Sequence, residues 1–246
     1  MNGIDPAEWN PETDTDLAAT YNVKTLEKKA QNKALLQKEN GLAVDPKAPL
    51  VGMVSRLVDQ KGMDILIPAL STLVGMGVQF VLLGTGEERY HQVLRDFAKK
   101  NKGKAAVHIL FDPKMAKHIY AGSDMFLVPS YYEPCGLGQM IAFRYGTVPV
   151  VRETGGLADT VKNYDLKTGQ GTGFSFRDYT AEALVSTVER AVNVFRDDTK
   201  CSYARFRWSK RAVGVADFSL INHDIHYVIA KNPAPCAIPA QAGLQI

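Results

Sequence analysis

Hydrophobic positions along this chain group into short unbroken runs separated by stretches of helical spacing. The runs are LVGMVSRL (Leu50–Leu57), VQFVLLG (Val78–Gly84), AAVHILF (Ala105–Phe111), DMFLVPS (Asp124–Ser130) and TVPVVRE (Thr147–Glu153). Apolar runs without alternation mark parallel strands buried on both faces. Between and after them, Met63–Gly77, Glu87–Gly103, Pro113–Ser123, Leu137–Gly146 and Gly156–Asn163 predict helices. Pro68 falls early in the first of these and Pro113 near the first position of the third, where a proline ring is tolerated. Strand and helix alternating at this pitch predict an open parallel α/β sheet with helices on both faces.

The flanks are less regular. Residues 1–20 carry Pro6, Pro11 and several acidic side chains and read as an irregular lead-in. Thr25–Gly41 predicts a helix with Leu26, Ala30, Ala34 and Leu35 near one face and Gly41 as its stop. Tyr164–Thr180 reads as a glycine-rich loop and Ala181–Asp197 as an amphipathic helix. Two further helices are expected near Tyr203–Val213 and Ser219–Ile229. Residues 231–246, with Pro233, Pro235 and Pro239, read as a disordered tail. The division is therefore one α/β domain over 1–230, with lead-in and C-terminal helices included, and a tail over 231–246.

Composition narrows the function classes. With 246 residues, 46% of them hydrophobic, the chain can build a sizeable core. Its 29 basic and 26 acidic residues leave a net charge of +3, which argues for neither nucleic acid nor an anionic membrane as partner. Any anion site must be local. No apolar run is long enough to cross a bilayer, and the polar, acidic N-terminus resembles neither a signal nor a transit peptide. Cys135, Cys201 and Cys236 are odd in number and widely spaced, which suggests a reducing compartment rather than a disulfide framework or a metal site. His91, His108, His118, His223 and His226 form no zinc signature.

In an open parallel sheet, ligands bind beyond the carboxyl ends of the strands. That rule selects the loops SRLVDQKG, GTGEE, FDPK, YYEPCGLG and ETGGL. Arg56 and Lys61 in the first can converge on phosphate oxygens, or remain two solvated surface cations. GTGEE lacks the last glycine of a dinucleotide fingerprint and reads as a tight turn. Gly136 and Gly138 flank a helix start, where free amides suit an anion. Glu133 would repel a phosphate, so it is placed to accept hydrogen bonds from hydroxyl groups; alternatively it caps the helix or balances Arg144. Gly155 and Gly156 either open amides to the same ligand or shape a turn. Phe111, Tyr131 and Tyr132 offer rings to a base or pack in the core. Cys135 has no histidine at a suggestive spacing, so a structural or redox role is favoured over a nucleophilic one. Together these loops suggest a nucleotide-sugar site.

The stretches NGIDPAEWNP, SRLVDQKG, LLGTGEE, IYAGSDMFLVPS, EPCGLGQ and RYGTVPVVRETGGLADTV, in this order and spacing, resemble the starch synthase and bacterial glycogen synthase family. The resemblance covers roughly residues 1 to 229, although DFSL lacks the family's tryptophan after DFS and the tyrosine-rich ending is blurred. It implies a GT-B arrangement of two Rossmann-like domains facing a cleft, with this chain as the C-terminal one. It also implies transfer of glucose from ADP-glucose, or UDP-glucose, to the non-reducing end of an α-1,4-glucan with retention of configuration. No cofactor or metal is implied.

Carried onto this sequence, Arg56 and Lys61 match the basic pair that holds the diphosphate and stabilises the departing ADP. Glu133 matches the glutamate that contacts and orients the glucosyl unit. Cys135, Gly136 and Leu137 match a loop that touches glucose and phosphate through backbone amides. Phe111 matches an aromatic position beside the base, and Gly155 and Gly156 match the adjacent TGG loop. Gly138 stands where many members carry threonine, which implies weaker or altered donor binding. The implied partners are the sugar donor and a glucan acceptor met through the N-terminal domain, without which this chain is expected not to catalyse transfer. The alternative is a non-catalytic truncated form that binds glucan or a partner synthase. The resemblance implies a plastid for a plant or algal form, toward which NGIDPAEWNP and Asn22–Leu42 lean, and the cytoplasm for a bacterial one.

Overall fold

The computed structural model describes residues 3–200; the helices expected at 203–213 and 219–229 and the tail at 231–246 lie outside them. Six parallel strands form one sheet: β1 (Leu50–Val54), β2 (Gln79–Leu83), β3 (Ala105–His108), β4 (Met125–Val128), β5 (Val148–Arg152) and β6 (Phe174–Phe176). Their order is β3-β2-β1-β4-β5-β6. The chain winds outward from β1 to one edge, then returns and winds from β4 to the other. The reversal between β1 and β4 is the topological switch point, where the following loops splay apart and leave a crevice.

Strand side chains alternate between two cores, as a period of two requires. Val51, Met53, Phe80, Leu82, Met125 and Leu127 face one core, and Leu50, Val81, Leu83 and Phe126 the other. The first core is covered by α2 (Met63–Gly75), α3 (Glu88–Lys100) and α7 (Ala181–Lys200). The second is covered by α1 (Lys29–Glu39), α4 (Pro113–Gly122) and α5 (Gly138–Arg144). A short α6 (Gly155–Thr160) follows β5. Asp112 caps α4 by accepting from the Met115 amide at 3.0 Å, with Pro113 at the first helical position.

Two sequence expectations are corrected and a third is met with an addition. The stretch Tyr164–Thr180 is not wholly loop, because Phe174-Ser175-Phe176 pairs with β5 as a buried sixth strand. The strands β1 and β3 stop at Val54 and His108, short of the apolar runs that predicted them. The lead-in has no regular structure, but it is core: Tyr21 is buried, its hydroxyl donates to Tyr145 O at 2.8 Å, and Trp9 packs edge-on to Tyr120 and Tyr145.

The buried face of α1 also differs from the expected one. Ala30 is exposed, whereas Lys29, Asn32, Lys33, Leu36 and Gln37 point inward. The helix crosses the N-terminal ends of the strands, where backbone carbonyls before each strand need donors. Lys29 Nζ donates to Tyr120 O, Ala121 O and Thr147 Oγ1 at 3.3, 2.6 and 2.8 Å. Lys33 Nζ donates to Pro46 O and Ala48 O and pairs with Asp124 at 2.5 Å. Gln37 Nε2 donates to Asp45 O and to Gln79 Oε1. An inward polar stripe thus laces the N-terminal ends of the strands, leaving their carboxyl ends for chemistry.

Candidate functional site

At the carboxyl ends of the strands, the loops after β1 and β4 enclose a cavity of about 300 Å³ directly over the switch point. Arg56 and Lys61 line it from the β1 side, and Ser130, Glu133, Gly136, Leu137, Gly138 and Gln139 from the β4 side. Met53 and Phe126 to Val128 form its floor.

The β1 loop is held on both flanks. Leu57 N donates to Thr85 O and Glu87 N to Leu57 O, both at 2.8 Å, so the GTGEE turn serves as a brace for this loop. Asp59 accepts from Tyr90 and pairs with Arg89, and these hydrogen bonds hold its carboxyl below the usual carboxylate range. Asp59 opens the single turn of 3-10 helix that ends at Lys61. Tyr131 N donates to Gln60 O at 2.9 Å and Gln60 Nε2 to Tyr132 O at 3.2 Å, which joins this turn to the β4 loop.

Glu133 neither caps α5 nor meets Arg144. Arg144 Nε donates to Trp9 O at 3.1 Å, and α5 has no side-chain cap. Glu133 Oε2 instead forms an ion pair with Lys61 Nζ and accepts from Ser130 Oγ at 3.2 Å. The Lys61 and Glu133 side chains are only 18% and 13% exposed, so the carboxylate is aimed and largely shielded from water. The Arg56 guanidinium is exposed at the cavity wall. It uses none of the hydrogen bonds or ion pairs formed among the described residues. One cation therefore orients the carboxylate, and a second faces open space with its planar fork unused.

Gly155 and Gly156 do not line the cavity. They lie beneath the β4 loop, and Gly156 N donates to Glu133 O at 3.1 Å. A Cβ at Gly155 would stand 2.2 Å from Glu133 O, and one at Gly156 2.1 Å from Cys135 O. The pair lets one backbone rest directly on another. Cys135 is half-buried, and its carbonyl accepts from Gln139 at 3.2 Å. Phe111 lies beyond the end of β3 and is 85% exposed, away from the cavity lining. Tyr131 and Tyr132 are 59% and 53% exposed; Tyr131 packs edge-on to Tyr179, with Arg152 over both rings.

Sequence reasoning passed over Ser130, Gln139 and Thr160. Ser130 and Gln139 end the stretches DMFLVPS and EPCGLGQ, three residues before and six after Glu133. Their signal was available there as polar residues at the borders of two apolar runs. Thr160, a helix later, gave no such signal.

Residues 36–207 match the family model for glycosyl transferases group 1. The chain is 51% identical over 197 residues to a glycogen synthase of Thermosipho africanus (strain TCF52B), covering 80% of this chain and 41% of that protein. It is 49% identical over 227 residues to a glycogen synthase of Moorella thermoacetica (strain ATCC 39073 / JCM 9320), covering 92% of this chain and 46% of that one. The catalytic domain of starch synthase IV from Arabidopsis thaliana, solved with ADP and acarbose, superposes with a TM-score of 0.78 at 37% identity. That match covers 90% of this chain and 46% of the plant chain. The chain thus spans about half the length of the curated relatives it matches. Those relatives are bacterial, so the similarity gives no support to a plastid form. Among the described residues no helix is long and apolar enough to cross a membrane. The parallel sheet, the switch-point cavity and a family match over most of its length make this chain a member of the group 1 glycosyl transferases.

Proposed function

We propose that the chain is the donor-binding half of a retaining α-1,4-glucan glucosyltransferase of the starch and glycogen synthase type. Its donor in this reading is ADP-glucose, with UDP-glucose as the alternative. The observation that carries the reading is the convergence of Arg56, Lys61, Glu133 and the Gly136–Gly138 backbone on one cavity at the switch point. The plant structure at 37% identity holds ADP, which favours the adenine nucleotide.

Each group has a task set by its chemistry. Arg56 grips diphosphate oxygens with its fork, and Lys61 adds a point charge while keeping Glu133 aligned. Negative charge grows on the diphosphate as the glycosidic bond breaks, so fixed donors there favour the transition state over the bound donor. Glu133 accepts hydrogen bonds from the hexosyl hydroxyls. The reading calls on no metal ion, because side-chain cations and amides supply the positive field. The glucan acceptor is engaged by parts of the protein outside the described residues. The compartment follows the source, cytoplasm in a bacterium and plastid in a plant or alga.

Calorimetric titration with ADP-glucose, UDP-glucose and ADP tests the assignment. ADP and ADP-glucose should bind, and Arg56→Ala should weaken both by about tenfold or more, as for a lost charged hydrogen bond. Failure of all three to bind would overturn it. Glucan elongation by this chain alone would refute the half-site part of the reading.

A further inference from the structure

Gln139 borders the cavity yet has no exposed surface, although it is a polar residue inside an apolar helix stretch. Its Nε2 donates toward Cys135 O at 3.2 Å, Gly136 O at 3.0 Å and Thr160 Oγ1 at 3.1 Å. The two carbonyls fix which end of the amide faces the loop, since the reverse orientation would set oxygen against oxygen. The cost of this arrangement is visible at the other end, where Gln139 Oε1 is buried without a hydrogen-bond partner. Thr160 Oγ1 in turn donates to Gly156 O at 2.7 Å, and Gly156 N donates to Glu133 O at 3.1 Å. A closed circuit therefore runs from Gln139 through Thr160 and Gly156 to Glu133, and from Gln139 directly back to Cys135 and Gly136.

The circuit decides which way the loop's amides point. The described residues contain no cis peptide, and in a trans peptide the N–H lies opposite the C=O. With the Cys135 and Gly136 carbonyls turned onto Gln139, the Gly136 and Leu137 amides are turned away from it. Both residues line the cavity, and among the described residues neither amide donates a backbone–backbone hydrogen bond. Gly136 holds a left-handed φ of 70°, and a Cβ there would meet Gln139 Oε1 at 2.5 Å. Loop conformation and glutamine side chain are thus fitted to each other.

We infer that Gln139 and Thr160 are positioning residues that lock the Cys135–Gly138 loop with its amides facing the cavity, ready for the diphosphate of a nucleotide sugar. This rests on the proposed donor-binding function. Neither side chain needs to touch the ligand; both act through the loop.

The test is calorimetric binding of ADP, with UDP in parallel, to the full chain and to Gln139→Met, Gln139→Glu and Thr160→Val, each checked by thermal unfolding. Gln139→Met keeps the volume and removes the donors; it should lower ADP affinity at least tenfold. Thr160→Val should lower it about threefold. Gln139→Glu separates positioning from packing. Its carboxylate faces two carbonyls and should disrupt the loop at pH 8.5, whereas its protonated form regains a donor and should restore binding at pH 5.5. Arg56, Lys61 and Glu133 face the same cavity, so the variant is read as a ratio to the wild type at each pH. A pH-independent ratio, or wild-type affinity in Gln139→Met, overturns the inference. Should Gln139→Met fail to fold, Thr160→Val and the Gln139→Glu ratio decide. A wild-type chain that binds neither nucleotide removes the proposed function and this inference together, whereas wild-type binding that the variants leave intact removes the inference alone.

Discussion

Replacing Lys29 with methionine should change how stability depends on pH, and the size of the change follows from the surroundings of the ammonium. Lys29 is buried, and desolvation pushes its pKa from 10.5 down to about 7, with Asp124 opposing and Lys33 reinforcing the shift. Between those values the unfolded chain binds a proton that the folded chain does not. Stability contributed at this site therefore rises with pH across the window from 7 to 10.5 and is flat below it. The full span corresponds to about 5 kcal/mol, and about 3 kcal/mol falls between pH 7 and 9.5. The oxygen acceptors on Lys29 favour the charged form and offset part of this, since hydrogen bonds to charged groups contribute roughly 1.5–3 kcal/mol. Urea unfolding of wild type and Lys29→Met at intervals from pH 7 to 9.5 is the assay. The difference between the two should move in favour of the wild type by about 1–1.5 kcal/mol as the pH rises, a midpoint change of about 0.5 M urea. Burial raises the pKa values of Tyr21, Tyr120 and Tyr145, so above pH 10 both proteins lose stability together, and the scan stops short of that range. A difference that stays constant from pH 7 to 9.5 would refute the reasoning, because it would mean that Lys29 holds its proton equally in both states.

Other changes have equally direct readouts. Lys33→Met strips Asp124 of a buried cationic partner and should cost about 3–5 kcal/mol in urea unfolding; a loss under 1 kcal/mol would contradict the assigned pairing. Gly156→Ala sets a Cβ 2.1 Å from Cys135 O, which must displace the β4 loop by about 1 Å. It should cost about 1–3 kcal/mol of stability and about tenfold in ADP affinity, and unaltered affinity by calorimetry would sink the loop-support role. Gly138→Thr returns a hydroxyl to the cavity wall at the expense of a 3.0 Å approach to Phe126. ADP affinity should rise by about tenfold, as expected for one hydrogen bond to a charged group, with no change in affinity as the disproof.

The sheet was readable because its inner strands are buried on both faces, so Leu50–Val54, Phe80–Leu83 and Val148–Val151 appear as unbroken apolar runs. Phe174–Phe176 escaped because three residues beside Gly171 and Gly173 are too few to form a run; pairing with β5, not composition, makes them a strand. The inner face of α1 escaped for a different reason. Hydrophobic periodicity assumes that burial selects apolar residues, and here the buried groups to be satisfied are carbonyls, so burial selected Lys29, Lys33 and Gln37. At the cavity, the strand-end rule brought forward Arg56, Lys61, Glu133 and the residues after it, which the structure gathers around one cavity. The direct pairing of Lys61 with Glu133 was not legible, since their convergence depends on how two loops from separate strands lean together. Nor was the use of the Gly156 amide, which is set by a contact between the loops that follow β4 and β5.

The lacing by α1 also has a bearing on the order in which the molecule assembles. Lys29 and Lys33 precede every strand of this sheet in the chain, yet Lys29 finds its oxygens 91, 92 and 118 residues further on, and Lys33 finds Asp124 91 residues on. Contacts of such long range form only after the loops between them have closed. The contacts of Lys29 therefore wait until Thr147 has been synthesised and β4 and β5 lie side by side, and until then its ammonium remains in water. A nascent chain stalled before that point would keep α1 without its partners before β4 and β5, and the polar stripe that later fastens this helix also keeps it from burying that face too early.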